Sequence, residues 1–244
     1  PQQISSGTAK IKIIEGYIDE VIIEGVYGIR PEIFNHIIAQ IKASKPLHDD
    51  VLERYLLLAN DFSGMKFNSV LNQSKTNLGA ATLVMTATKK SIEGAVSLDN
   101  RGSESSGPNQ LLLEATVNDV YKYLFSTTVR FATVPNNAEE LKYLQLHHEQ
   151  VLNGEGLKLA LDFSKTDSEP DGFTFRSFEV ETAGHSGGIS LSYPVIRSRE
   201  ENFFVSGSYT ARTSDTLQFG VIDARDKLRI FRFSGNYDRS DTFL

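Results

Sequence analysis

The chain has 244 residues, a net charge of −6, a mean hydropathy of −0.24 and no cysteine. That length allows one large β domain or two modest domains. The acidity argues against nucleic acid as a partner, and the missing cysteines exclude a disulfide framework and thiolate metal sites while suiting a periplasmic or envelope protein. No apolar run approaches the about 20 residues of a spanning helix, which leaves open a membrane barrel, whose strands need only about 9–11 residues with alternate ones polar. Pro1 opens the chain without Met or a signal peptide, so it reads as a processed or excised piece.

Up to residue 90, strand and helix signals mix. Residues 10–14 alternate briefly, and Ile18, Val21 and Ile23 mark a strand over 17–24. Pro31 then opens an amphipathic helix with apolar residues at 33, 34, 37, 38 and 41, the three-and-four spacing of one helical face. A second helix is announced by Asp50 and Glu53, spaced as a capping box, with Val51, Leu52, Tyr55, Leu56 and Leu58 on its apolar face and Gly64 at its end. Strands over 66–71 and 81–88 follow, split by the turn-rich residues 72–79. The order strand, helix, helix, strand, strand defines a small α+β domain.

After residue 90 no helix is evident and period-two segments recur, roughly eight strands over 91–244. Leu111, Leu113, Ala115 and Val117 share one face, Val129 and Phe131 oppose Thr128 and Arg130, and Leu157, Leu159, Leu161 and Phe163 oppose Lys158, Ala160, Asp162 and Ser164. Over 188–209 two alternating strands flank a charged turn: Ile189, Leu191 and Tyr193 against Ser190 and Ser192, then Phe203, Val205, Gly207 and Tyr209 against Phe204, Ser206 and Ser208. Near the end Phe231, Phe233, Gly235 and Tyr237 alternate with Arg232, Ser234 and Asn236. The apolar side faces either a sandwich core or a bilayer. A membrane strand tolerates mid-strand charge on its lumen face, and Glu114, Arg130, Lys158, Asp162 and Arg232 occupy such positions. Aromatic residues near strand ends (Tyr121, Tyr123, Tyr193, Phe203, Phe204, Tyr237) suit interface girdles, and long polar turns at 100–108 and 167–172 contrast with a tight one at 153–156. The balance favours the barrel, with a soluble sandwich of adhesion or carbohydrate-binding type as the alternative.

Chemical motifs carry bland readings. Gly184-His185-Ser186-Gly187-Gly188 has the spelling of a nucleophile elbow, but a strand follows where an elbow requires a helix, so a glycine-rich hairpin turn is the expectation. Asp167, Glu169 and Asp171 imitate the start of a calcium loop, yet Phe178 stands where the bidentate Glu belongs. His147 and His148 face opposite sides of a strand and cannot share one ion. The charged run Arg197, Arg199, Glu200 and Glu201 reads as a solvated turn, or else as a rim contact with client or lipid headgroups. Residues of a catalytic, cofactor or metal site are not expected, and the chain is not expected to be an enzyme.

Three segments resemble one family. They are Ser192-Tyr193-Pro194-Val195-Ile196-Arg197-Ser198-Arg199 followed by Asn202; Ser6-Gly7-Thr8 with residues 11–18 and 23–25; and Ser97-Leu98-Asp99-Asn100-Arg101-Gly102-Ser103. The family is the transporters of two-partner secretion, also called TpsB or hemolysin secretion/activation proteins. The resemblance implies a fold of an α+β POTRA domain followed by an antiparallel transmembrane barrel. Residues 1–15 would be the last strand of a preceding POTRA domain, 16–90 a complete one, and 91–244 the N-terminal half of a barrel of about sixteen strands. Leu111, Leu113, Val129, Phe131, Leu157, Leu159, Leu161, Ile189, Leu191, Tyr193, Phe203 and Val205 would face lipid, and the five charged residues named above the lumen. Tyr193, Pro194, Arg197, Ser198 and Arg199 carry the family motif. The partners implied are an unfolded secreted exoprotein, captured within 16–90, and outer-membrane lipid; the full-length protein would be monomeric, in the outer membrane with its POTRA domain in the periplasm. The family's Val-Arg-Gly-Tyr/Phe loop motif and its C-terminal strand are missing, and the segments 119–125 and 173–178 fit the family poorly. An isolated 91–244 piece is expected to aggregate or to form an irregular open sheet. A POTRA-bearing outer-membrane insertase is the related alternative.

Overall fold

A computed structural model describes residues 15–25, 31–119 and 122–240. The expected strand at 10–14 and the girdle residue Tyr121 lie outside them. The first part is β1 (Tyr17–Glu24), α1 (Pro31–Ala43), α2 (Asp49–Asn60), β2 (Met65–Gln73) and β3 (Ala80–Lys89). Its sheet runs β1-β3-β2, with β1 parallel and β2 antiparallel to β3. Both helices cover one face of it. Ile33, Phe34, Ile37 and Ile41 of α1 meet Tyr55, Leu58 and Ala59 of α2 over Ile18, Leu83 and Met85 of the sheet. Phe34 stands edge-on to Phe62 at 5.6 Å. Burying each large aliphatic side chain here contributes about 1.5–3 kcal/mol.

The expected capping box does not form. His48 is the N-cap of α2 and makes no side-chain cap bond, Asp50 accepts from the neighbouring Val51 N–H at 2.9 Å, and Glu53 is engaged elsewhere in the molecule. The helix ends at Asn60, four residues before the expected Gly64, which instead takes a positive φ in the turn into β2.

The sheet changes at Lys90 and Ser91. Beyond them run β4 (Ile92–Asp99), β5 (Gln110–Asp119), β6 (Phe125–Thr133), β7 (Lys142–Val151), β8 (Lys158–Ser168), β9 (Glu181–Arg197), β10 (Glu201–Gln218) and β11 (Val221–Arg239). They form one eight-stranded antiparallel meander in sequence order, with β4 and β11 at its two edges. The sheet is therefore open, but it is regular rather than irregular: its ladders shift only at Phe203/Phe204 and Thr216/Leu217. No second sheet packs on it among the described residues, contrary to a sandwich. A five-residue helix, α3 (Phe173–Ser177), interrupts the β8–β9 connection, in the segment where no helix was expected.

Turns at the end nearest the α/β domain are short; at the far end the β4–β5, β6–β7 and β8–β9 connections are long. There β9, β10 and β11, of 17 to 19 residues, outrun their neighbours and close through Phe219 and Gly220, both at positive φ as a two-residue hairpin requires. No helix among the described residues is long and apolar enough to cross a membrane, which says nothing of strands.

Candidate functional site

Register assigns every side chain of the large sheet to one of two faces. The ladder Val96–Leu113–Phe131–Leu144 runs across β4 to β7, and Leu161–Ile189–Tyr209–Phe231 across β8 to β11. Leu111, Val129, Leu159, Leu191, Tyr193, Phe203 and Val205 fall on the same side by alternation, while Leu157 sits just before β8. This face is uncovered: Leu161 is 43% exposed, Ile189 46% and Leu191 45%, although all three lie on central strands. Side chains of this size, contiguous over eight strands, exceed the apolar patch of an ordinary soluble surface.

The opposite face is polar and paired. Glu114 lies directly across from Arg130 and forms an ion pair with it. His147 Nδ1 is 2.7 Å from Asp162 on the neighbouring strand. His148, pointing the other way, meets the Thr127 hydroxyl at 2.8 Å. Arg232 stands opposite Ser208. The β9–β10 part of this face carries hydroxyls and glycines, among them Ser186, which is 2.8 Å from the Ser164 hydroxyl. Residues 184–188 are thus the interior of β9, neither an elbow nor the expected hairpin turn. The ladder passes through their glycines without a register shift. Phe204, expected among the interface aromatics, also lies on this polar side and lines a small cavity with Leu58, Phe62 and Val151. Of the calcium-like acids, Asp167 pairs with Lys165 and Asp171 with Arg176.

In the charged run at the β9–β10 turn, Arg199 and Glu200 are exposed, as a solvated turn requires, whereas Arg197 is not. Arg197 forks onto Asp61 just after α2, Nε to Oδ2 and Nη2 to Oδ1, both at 2.8 Å, and its third nitrogen donates to Asn202 at 2.8 Å. Arg199 donates its backbone N–H to Glu53 at 3.1 Å and ion-pairs with the same carboxylate. Arg54 donates to the carbonyls of Pro194 and Val195. The tight turn between β7 and β8 inserts between the helices. There Glu155 accepts from Tyr55 at 2.6 Å, contacts His36 at 2.6 Å and pairs with Arg54 at 3.3 Å. Lys158, on the polar face but at the first residue of β8, reaches the Asp61 carbonyl and Glu149, each at 3.0 Å. A core also crosses the junction, since Leu124 and Val151 are buried with the α1 and α2 side chains.

Burial alone would push the Glu155 carboxyl up, but the hydrogen bonds from Tyr55, His36 and Arg54 outweigh it and hold it below its ordinary value. The same burial, with the adjacent carboxylate, pushes the Tyr55 phenol well up. Of the motif residues, Pro194, Arg197 and Arg199 therefore belong to a seam between helix α2 and the strand ends, while Tyr193 stays on the apolar face and Ser198 closes the turn onto Glu201. Glu155, Arg54, Asp61, Tyr55 and His36 were not legible as members. The one local signal is Glu155 between Gly154 and Gly156: a Cβ on Gly154 would meet the His36 ring at 2.7 Å, and one on Gly156 would meet Leu58 at 2.7 Å.

No protein-family model matches the chain. It is 23% identical over 199 residues to the heme/hemopexin transporter protein HuxB of Haemophilus influenzae, which covers 81% of this chain and 35% of that protein. The fold is that of CdiB from Escherichia coli, with a TM-score of 0.75 at 16% identity over 99% of this chain and 45% of that one. CdiB from Acinetobacter baumannii gives 0.65 at 13% identity, over 96% of this chain and 45% of that one. In sequence the chain is thus similar to HuxB and in fold to CdiB, in keeping with its resemblance to the two-partner secretion transporters. It spans about a third of the length of the curated relatives it matches.

Proposed function

We propose that the chain belongs to a pore that moves an unfolded exoprotein across the outer membrane by two-partner secretion. The large sheet is a stretch of barrel wall, its apolar face on lipid and its paired, charged face on the lumen. The α/β domain is a periplasmic POTRA domain that receives the client. The observation that carries this reading is the single-layer meander itself: eight strands with one uncovered apolar face, the other face ionic, docked at one end to an α/β domain. A soluble domain would cover that face with a second layer, and a spanning sheet has lipid for it.

Capture follows from the small sheet, where β2 forms one edge and exposes Val70 and Leu71. An extended client strand can pair with such an edge through main-chain hydrogen bonds, with little demand on its sequence. The relation between Arg197 and Asp61 then fixes how the receptor domain meets the wall.

Co-expressing the protein with a two-partner exoprotein and assaying the medium tests this. Secretion that depends on both the barrel protein and residues 65–73 is the expected outcome. A protein that remains monodisperse in buffer without detergent would contradict it.

A further inference from the structure

On β8 to β11, directly beyond the last mainly apolar row of the outer face, the register lines up a band of cations. On β4 to β6 the same rows stay largely apolar, as a row that crosses tilted strands changes depth. The last mainly apolar row is Leu146, Phe163, Gly187, Ala211 and Arg229, and the next is Leu144, Lys165, His185, Thr213 and Lys227. The third row is Lys142, Asp167, Ala183, Asp215 and Arg225. Successive rows stand about 7 Å apart along the strands. Five cations and one histidine thus meet only two carboxylates, on a chain whose net charge is −6. Those carboxylates are matched internally, Asp167 by Lys165 and Asp215 by Arg225. Lys142, Lys227 and Arg229 therefore stand as the local excess, the last two on the strand that also carries Phe231 and Phe233 on this face. The band lies at the end of the sheet remote from the α/β domain.

We infer that this band binds the phosphorylated headgroups of outer-leaflet lipid. The inference rests on the membrane reading above, which puts apolar rows in acyl chains and the α/β domain on the periplasmic side. Cations at the acyl boundary or one or two rows beyond it reach headgroup depth, since long Lys and Arg side chains extend toward phosphate. A band this close to the acyl boundary selects a lipid over a soluble polyanion, and the Arg side chains present the planar fork that suits phosphate oxygens. The contact anchors the long β9–β11 wall vertically, since sliding inward would drag Lys227 and Arg229 into hydrocarbon.

The intact protein would be reconstituted in phosphatidylcholine nanodiscs containing either lipid A or enzymatically dephosphorylated lipid A, and the lipid retained per protein read by native mass spectrometry. Preferential retention of phosphorylated lipid A is expected, falling about fivefold for each cation removed in Lys142→Gln, Lys227→Gln and Arg229→Gln. The matched set Lys42→Gln, Lys66→Gln and Lys75→Gln, all on the α/β domain, should leave retention unchanged. Should the triple variant fold poorly, salt serves instead: retention by the unaltered protein should drop between low and high ionic strength. Insertion of both forms with equal lipid A retention, equal retention of the dephosphorylated lipid, or indifference to salt overturns the inference alone. Failure of both forms to enter neutral nanodiscs overturns the membrane reading and the inference with it.

Discussion

Arg197 and Asp61 meet nitrogen to oxygen at both ends of a guanidinium–carboxylate fork, although 136 residues separate them in the chain. One lies at the end of β9 and the other just past α2. Arg197 keeps only 19% of its side chain exposed, so the pair is better shielded than a surface ion pair. Charge-assisted hydrogen bonds in such a setting contribute about 1.5–3 kcal/mol. A double-mutant cycle of Arg197→Gln and Asp61→Asn, followed by thermal unfolding, should give a coupling of about 1–2 kcal/mol. Arg197→Lys retains charge but loses the fork and should recover less than half of that.

The Glu155 cluster predicts a window of pH for the seam. The folded carboxyl lies below its ordinary 4.5, so the stabilisation is present above 4.5 and is lost as pH falls through the lowered value. The Tyr55 phenol lies above its ordinary 10.0, so its contribution is present below 10 and is lost as pH rises beyond it. Hydrogen exchange of the 153–156 turn should therefore be slowest between these limits and speed up on both sides. Glu155→Gln should abolish the acid limb and leave Arg54 without its carboxylate partner.

Gly64→Ala tests the second contact between the two sheets. Gly64 has φ +71°, and a Cβ there would lie 2.5 Å from the Asn118 side chain and 2.7 Å from the Lys90 carbonyl. Asn118 is buried and holds that carbonyl at 2.9 Å. Backbone strain and collision act together, and a loss of about 2–3 kcal/mol in unfolding experiments is expected.

Facing predicts an asymmetry between neighbours on paired strands. Leu161→Arg places a cation on the outer face and should cost about 2–4 kcal/mol in refolding into lipid. Ser190→Arg, on the inner face between Ala160 and Ser208, should cost little in the same assay.

The strands and their two faces were legible because alternation is local: Leu159 and Leu161 announce their side without knowing their partners. The βααββ order of the small domain was legible for the same reason, from Pro31 and the spacing of Ile33, Ile37 and Ile41. What stayed hidden depends on distance in the chain. Nothing near Arg197 points to Asp61, and nothing near Glu155 points to Tyr55. Composition misled at one segment. The glycines at 184, 187 and 188 have the spelling of a turn yet continue a strand, each paired on both sides: Gly184 with Thr166 and Ser214, Gly187 with Phe163 and Ala211, Gly188 with Asp162 and Thr210. Between Tyr209 and Phe231 no alternation stands out, yet Asp215 and Arg225 pair across the ladder and carry β10 and β11 onward.

The central claim is that the uncovered apolar face meets lipid. The chain has no cysteine, so single cysteines at residues 158 to 163 of β8 can be spin-labelled in lipid vesicles without a background. Accessibility to oxygen dissolved in the bilayer should peak at 159, 161 and 163, and accessibility to a water-soluble nickel complex at 160 and 162. Nickel accessibility that is equally high at odd and even positions would contradict the account.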